Sequence, residues 1–157
     1  MKALLNAIPQ KGKVEWIGLR PSITTPIEVV NKVKVSRADG LVGDRYKAKS
    51  TTKRQVTLIQ KEHLSVVGAI LGKEVDPASL RRNILISGIN LLSLHHQKIR
   101  IGKVILEVTG YCYPCSKMEA ALGQGGYNAM RGHGGITARV VNEGLIHVGD
   151  EVALFLD

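Results

Sequence analysis

A chain of 157 residues, 44% of them apolar, has the size and composition of one domain around one hydrophobic core. Its two cysteines exclude a disulfide framework and favour a reducing compartment. No stretch resembles a signal peptide or a membrane span, so we expect a cytoplasmic protein. The formal net charge of +9 indicates an anionic partner. Because only 4% of the residues are aromatic, a small phosphorylated ligand fits as well as nucleic acid.

In chain order, the first half predicts three strands and two helices. Apolar, β-branched runs favour strands at 14–19, 27–35 and 55–59. An amphipathic helix, Lys61–Leu71, is expected to end at Gly72, and His63 on it is expected to be solvated. Asp76, which precedes a proline, predicts the start of a short helix that runs to Leu80.

The second half predicts mostly strands. They are expected at 84–86, 98–101, 104–109, 136–141 and 151–155. A helix is expected at 115–122, and the glycine-rich residues 123–135 predict a loop. With seven or eight short strands, two or three short helices and no regular βαβ alternation, the chain favours a mainly β barrel decorated by helices over a doubly wound sheet.

Both cysteines lie where the strand at 104–109 gives way to the helix. Pro114 is placed to begin that helix, so Cys115 is expected in its first turn, where free N–H groups and the helix dipole favour a thiolate. Cys115 is therefore expected to be a nucleophile or soft-metal ligand, whereas Cys112 gains less. Three alternatives stay open: a buried apolar cysteine, a dithiol redox couple, and half a zinc site completed by the neighbouring His95-His96.

Charged residues in two turns could bind an anion. Arg81, Arg82 and Asn83 stand at a helix-to-strand junction and could form a planar clamp for phosphate. Arg131 and His133 could add charge to backbone N–H groups of the glycine-rich loop. The local sequence also allows surface arginines and a plain glycine turn at these places. Asp44-Arg45 reads locally as a surface ion pair, and the polar residues 47–53 after it are expected to be mobile.

The order of these motifs resembles the MOSC domain, the module at the C-terminus of molybdenum cofactor sulfurases and in stand-alone bacterial proteins. The resemblance covers about residues 14–153 of a single domain, 1–157, and rests on GLVGDR (40–45), RQVTLI (54–59), LRRNI (80–84), TGYCYPC (109–115), MRGHGG (130–135) and GDEV (149–152). It implies a pyruvate-kinase-like β-barrel, a molybdopterin cofactor in a cleft and an essential cysteine, by position Cys115. By the same matching, the cofactor-binding residues are Asp44, Arg45, Arg81, Arg82, Asn83 and Arg131, with His133 beside them.

The resemblance implies a molybdenum-dependent oxidoreductase that reduces small N-hydroxylated compounds. No flavin, nicotinamide, haem or iron–sulfur motif is visible, so electrons are expected from an external donor protein. The alternative is a carrier that holds sulfur as a Cys115 persulfide, or holds the cofactor, and exchanges it with a donor or acceptor protein. No pyridoxal phosphate is expected in this chain, and a nucleic-acid partner is disfavoured. Cys115, Arg81, Arg82, Asn83 and Arg131 are expected to converge on one cleft.

Overall fold

The computed structural model describes residues 1–45 and 52–157, so the prediction for residues 47–53 falls mostly outside the described residues. The strands are β1 Gly12–Leu19, β2 Glu28–Val30, β3 Lys32–Ser36, β4 Gly40–Leu41, β5 Val56–Gln60, β6 Ile84–Ser87, β7 Lys98–Ile101, β8 Val104–Tyr111, β9 Ile136–Asn142, β10 Gly144–His147 and β11 Glu151–Phe155. The α-helices are α1 Lys2–Leu5, α2 Lys61–Leu71, α3 Ser116–Leu122 and α4 Gly126–Met130, with short 3-10 helices at Pro77–Leu80 and Leu91–Leu94.

Seven strands within these described ranges close a barrel. Their order is β11-β7-β8-β9-β5-β6-β1, and β1 returns to β11 where Gly12 lies opposite Val152. β5 and β6 are parallel because α2 and the 3-10 helix Pro77–Leu80 connect them, and the other barrel pairs are antiparallel. The predicted fold class, a mainly β barrel with a few short helices, is therefore confirmed.

The barrel is filled by side chains that alternate along its strands. In β8, Val104, Leu106 and Val108 are buried, while the residues between them are half-buried. Full burial of one such aliphatic side chain stabilises the fold by about 1.5–3 kcal/mol. A second apolar cluster lies outside the barrel, where α2, α3 and α4 cover its wall, and it includes Leu64 of α2 and Met118 of α3.

A second, three-stranded sheet of β10, β3 and β4 corrects two predictions. The single strand predicted at 27–35 is broken at Asn31, because β2 pairs with β1 of the barrel whereas β3 pairs with β10. Gly144, predicted to lie in a connection, instead begins β10. β10 and its partner β3 lie far apart in the sequence, so the local pattern alone did not specify their pairing.

Two helix boundaries are confirmed and one helix was missed. α2 ends at Gly72 in the left-handed conformation, with φ 71°, and the Asp76 carboxylate accepts a hydrogen bond from the N–H of Ala78, 3.0 Å away. The predicted glycine-rich loop contains α4. Glu119 of α3 stabilises the start of α4, because its carboxylate accepts the N–H groups of Gly125 and Tyr127. No α-helix in the described ranges has the length and apolarity needed to cross a membrane.

Candidate functional site

A small pocket opens where β8 ends and the glycine-rich stretch enters β9. The backbone N–H of Cys112 donates to the carbonyl oxygen of Gly135 at 2.8 Å, which holds the two segments together. The pocket has a volume of about 230 Å³. The described residues that line it are Leu92, Tyr111, Cys112, Tyr113, Pro114, Gly132, Gly134 and Gly135.

Arg82, which is only 8% exposed, is not among the described residues that line the pocket, but it contacts Gly134, which is one of them. Its Nε donates to the carbonyl oxygen of Gly134 at 2.9 Å, and its Nη1 donates to that of Leu80 at 3.2 Å. Its Nη2 is buried and has no hydrogen-bond partner among the described residues. A buried guanidinium donor without a partner costs free energy, so it is a natural place for an acceptor from a ligand.

Cys112 is the thiol that belongs to this pocket. Its side chain is 4% exposed, and Nη2 of Arg54 lies 3.9 Å from its Sγ atom. Gly134 separates Cys112 from Arg82: a Cβ placed on Gly134 would overlap the carbonyl oxygen of Cys112 and lie 3.5 Å from Nη2 of Arg82. No local pattern marks Arg54 as a site residue, and the position of the helix start favours Cys115 over Cys112.

Cys115 lies one position earlier relative to the helix than predicted. α3 begins at Ser116, so Cys115 is its N-cap residue, with the extended backbone that this position requires (φ −134°, ψ −178°). Its carbonyl oxygen accepts the N–H of Met118 at 2.9 Å, but its side chain caps none of the described helix N–H groups. The Cys115 side chain is exposed and is not among the described residues that line the pocket.

The three residues at the predicted phosphate clamp point to different neighbours. Arg81, in the left-handed conformation with φ 55°, donates to the carbonyl oxygens of Ser22 and Thr25. Asn83 is fully buried and is committed to internal hydrogen bonds with Thr57, Gly18 and Asp44. Of the three, Arg82 has a buried N–H group, on Nη2, without a partner among the described residues. The geometry therefore supports one arginine contact to a ligand anion rather than a planar clamp formed by three residues.

Asp44 forms a buried ion pair with Arg20, not the surface pair with Arg45 that the local sequence suggested. Its carboxylate accepts Nη2 of Arg20 at 2.9 Å and Nδ2 of Asn83 at 3.1 Å. Burial alone would raise the pKa of Asp44, but the hydrogen bonds and charge of Arg20 outweigh it and hold the pKa below its ordinary value. Arg45 is exposed, and its backbone N–H donates to the carbonyl oxygen of Arg20.

His133 and Arg131 lie on the segment that enters the pocket. The ring of His133 packs edge-on against that of His63, with centroids 4.7 Å apart, so His63 is not fully solvated as predicted. Burial, and then the proximity of His133, lower the pKa of His63. Nδ1 of His133 is buried without a partner among the described residues, whereas Arg131 is exposed at the end of α4.

The half-zinc alternative finds no support in the described part of the chain. His95 and His96 stack on each other with centroids 3.8 Å apart, and His95 also contacts Tyr111. No group of three or more His, Cys, Asp or Glu side chains there is arranged to hold a metal ion. The stacked pair therefore forms part of an aromatic surface beside the pocket.

Comparison with known proteins places the chain in a family. The model of the MOSC domain matches residues 41–153, which include the pocket residues and all the predicted site residues. A search of curated proteins finds no match.

Solved structures give the same fold at low identity. YuaD from Bacillus subtilis is 19% identical with a TM-score of 0.80, and the match covers 92% of this chain and 96% of that one. YiiM from Geobacillus stearothermophilus is 17% identical with a TM-score of 0.76, over 92% of this chain and 75% of that one. YiiM from Escherichia coli is also 17% identical, with a TM-score of 0.69, over 92% and 70%. The barrel and the family match together show that the chain belongs to the MOSC domain family.

Proposed function

We propose that the protein binds a molybdopterin-type cofactor at this pocket and acts as an oxidoreductase that reduces small N-hydroxylated compounds. The observation that supports the proposal is the buried, unpartnered Nη2 of Arg82 beside a pocket that also contains a thiol. A molybdopterin carries an anionic phosphate and soft sulfur atoms around its metal. A nearby guanidinium suits the phosphate, and a thiol suits the metal in its sulfur environment.

The residues present fit such a group in outline. Arg82 would donate to an anionic oxygen, and a ligand could approach the backbone closely at Gly132, where a Cβ would meet no protein atom within 4 Å. A cysteine thiolate is the ligand type that molybdenum in a sulfur environment accepts. The pocket volume of about 230 Å³ is below the range of about 300–1,000 Å³ for whole ligands, so one end of the cofactor would enter it.

When bound, the cofactor would supply a metal that takes an oxygen atom and passes two electrons. The chain itself would bind the anionic end through Arg82 and would limit the access of water with the half-buried apolar side chains of Leu92 and Pro114. Because the sequence has no flavin, nicotinamide or iron–sulfur motif, we propose that a separate redox protein delivers the electrons.

A second function, a carrier of sulfur or of the cofactor, is favoured by the position of Cys115. This thiol is exposed at the start of α3, where another protein could reach it, and it caps none of the described helix N–H groups. An exposed thiol at a helix N-terminus is suited to hold a persulfide. The carrier would exchange this sulfur with a donor protein instead of turning over a small molecule.

Metal and pterin analysis tests the proposal directly. The protein would be isolated from a cell that makes the cofactor, and its molybdenum and pterin contents would be compared with those of Arg82→Met and Arg100→Gln. Arg100 is exposed on β7, so its variant is the matched control. We expect Arg82→Met to lose most of the bound pterin and Arg100→Gln to keep it.

Wild-type protein without molybdenum or pterin would contradict the proposal. Protein that holds both, yet reduces no hydroxylamine with a chemical reductant, would support the carrier instead of the oxidoreductase.

A further inference from the structure

A groove lies where the N-terminal segment of the chain meets the 3-10 helix Leu91–Leu94. Its volume is about 530 Å³, within the range of about 300–1,000 Å³ that is usual for small-molecule sites. Its apolar and aromatic lining includes Leu4, Leu5, Ile8, Leu92, His95 and Tyr111. The N-terminal part of this lining precedes residues 41–153, which the MOSC model matches, so it is not part of the family pattern.

Both walls of the groove are anchored to the barrel. Ile8 on one wall and Leu92 on the other pack against the apolar core. The N-terminal segment is also held by a hydrogen bond, because Nε2 of Gln97 donates to Oδ1 of Asn6 at 2.9 Å. Leu5, by contrast, is 61% exposed on this anchored segment. An apolar ligand in the groove would therefore remove exposed apolar surface from water without first having to order the wall.

The lining offers aromatic rings and aliphatic side chains but no permanent charge. No Lys, Arg, Asp or Glu is among the described residues that line the groove, although the chain has a net charge of +9. The ring of His95 contacts that of Tyr111, with centroids 4.6 Å apart, and stacks on that of His96. A charged group would lose its hydration here without gaining a partner, whereas a flat uncharged ring could pack against these rings and the leucines.

The groove adjoins the pocket at Cys112, because Leu92 and Tyr111 line both. From this geometry we infer that the groove binds the flat, uncharged aromatic part of a small molecule, and that the same molecule extends past Tyr111 into the pocket at Cys112. The binding of the ring does not rest on the proposed function. Only the reduction of the other end of the molecule does, so the inference can be tested on the protein without cofactor.

Amide NMR of the isotope-labelled protein without cofactor tests where the ring binds. The probe is naphthalene carboxamide, which is flat and neutral, and the comparison is naphthalene carboxylate, which has the same rings and a negative charge. We expect the carboxamide to bind with a Kd of about 0.1–1 mM and to shift the amide signals of Leu5, Leu92 and His95. At these signals the carboxylate should bind at least about fivefold more weakly, although the net charge of the protein attracts anions.

Two variants with equally exposed side chains test the role of the N-terminal wall. Leu5 lines the groove, whereas Ile70 of α2 does not, and both are 61% exposed, so neither substitution disturbs the core. Leu5→Ser should weaken carboxamide binding about fivefold, and Ile70→Ser should leave it unchanged. Tyr111→Leu keeps an apolar wall but removes the ring, and should weaken binding by about three- to tenfold.

A longer probe tests whether the groove and the pocket form one site. The N-hydroxyethyl derivative of the carboxamide should also shift the amide signals of Cys112 and Gly134, which line the pocket. If these two signals do not move, the molecule does not extend past Tyr111 and that part of the inference is wrong.

Three results would overturn ring binding in the groove. They are equal affinities of carboxamide and carboxylate at the groove signals, shifts confined to other parts of the protein, and equal affinities of Leu5→Ser and Ile70→Ser. A dimer that Leu5→Ser dissociates would also overturn it, because a second copy of the chain would then fill the groove. Protein that binds the carboxamide in the groove but holds neither molybdenum nor pterin would contradict the proposed function and leave this inference intact.

Discussion

Replacing Asp44 by Ala should destabilise the protein severely. The Asp44 side chain is fully buried, and its carboxylate accepts the backbone N–H of Arg20 at 2.8 Å, Nε at 3.1 Å and Nη2 at 2.9 Å, as well as Nδ2 of Asn83 at 3.1 Å. The Arg20 side chain is only 15% exposed, so the variant leaves a guanidinium largely out of water without its partner. Loss of one member of a buried pair costs about 3–5 kcal/mol.

Urea and thermal unfolding would measure this loss. For a chain of this size, a loss of about 4 kcal/mol corresponds to a decrease in Tm of about 8–16 °C. The matched control is Asp157→Ala, because the ion pair of Asp157 with Lys98 has a similar N···O distance, 2.8 Å, but the Asp157 side chain is 70% exposed. Exposed pairs contribute about 0–1 kcal/mol, so the control should unfold close to the wild type.

The difference between Asp44→Ala and the wild type should also depend on pH. Because the folded state holds the pKa of Asp44 below its ordinary value, the carboxylate contributes its full stability above about pH 3.9 and loses it as the pH falls through the lower folded value. The free-energy gap should therefore be constant from pH 5 to neutrality and shrink in acid. If the free energy of unfolding of Asp44→Ala lay within about 1 kcal/mol of the wild-type value at pH 7, the reasoning would be refuted, because loss of one partner of a buried ion pair costs more than this.

Two further predictions concern Gly134 of the pocket and His63 of α2. Gly134→Ala should lower the free energy of unfolding by about 3 kcal/mol, because the new Cβ would overlap the backbone carbonyl of Cys112. The control is Gly110→Ala, whose Cβ would lie 3.6 Å from Thr137 Oγ1, an ordinary contact distance. Equal stability of the two variants in urea would contradict the packing argument. Burial and the nearby His133 lower the pKa of His63, so the unfolded state binds more protons and stability falls as the pH drops below about 6.5. His63→Gln should flatten the Tm profile between about pH 5 and 6.5, whereas an unchanged slope would assign that pH dependence to another group.

The elements that the sequence predicted correctly are those with local signals. The apolar face of α2 and the glycine that ends it, Gly72, are signals carried by neighbouring residues in the sequence, and so is the N-cap Asp76. In the structure Gly72 ends α2 in the left-handed conformation and Asp76 caps the following 3-10 helix. The alternation in β8 likewise depends on neighbours two residues apart. The barrel followed from the number of such strands and the absence of a βαβ repeat.

The parts that could not be predicted depend on contacts between distant segments. α4 forms in a glycine-rich stretch because a carboxylate on α3 stabilises its first turn, which propensity does not reveal. Asp44 pairs with Arg20 across the fold rather than with its neighbour Arg45. The burial of Cys112 could not be predicted by extending the alternation of β8, because the pairing of β8 with β9 shifts register between Val108 and Gly110. The partners of Arg82 could not be predicted either, since Gly134 lies far away in the sequence.

The contact between β1 and β11 has a consequence for how the protein is made. Gly12 of β1 pairs with Val152 of β11, so the first barrel strand to be synthesised cannot complete its pairing until the last barrel strand has been synthesised. Until β11 is available, β1 and β7 each present an open strand edge on which other chains could pair. Long-range pairing of this kind is slow, so closure should be the late step of folding, and chains that stop before β11 should be prone to aggregation in the cell.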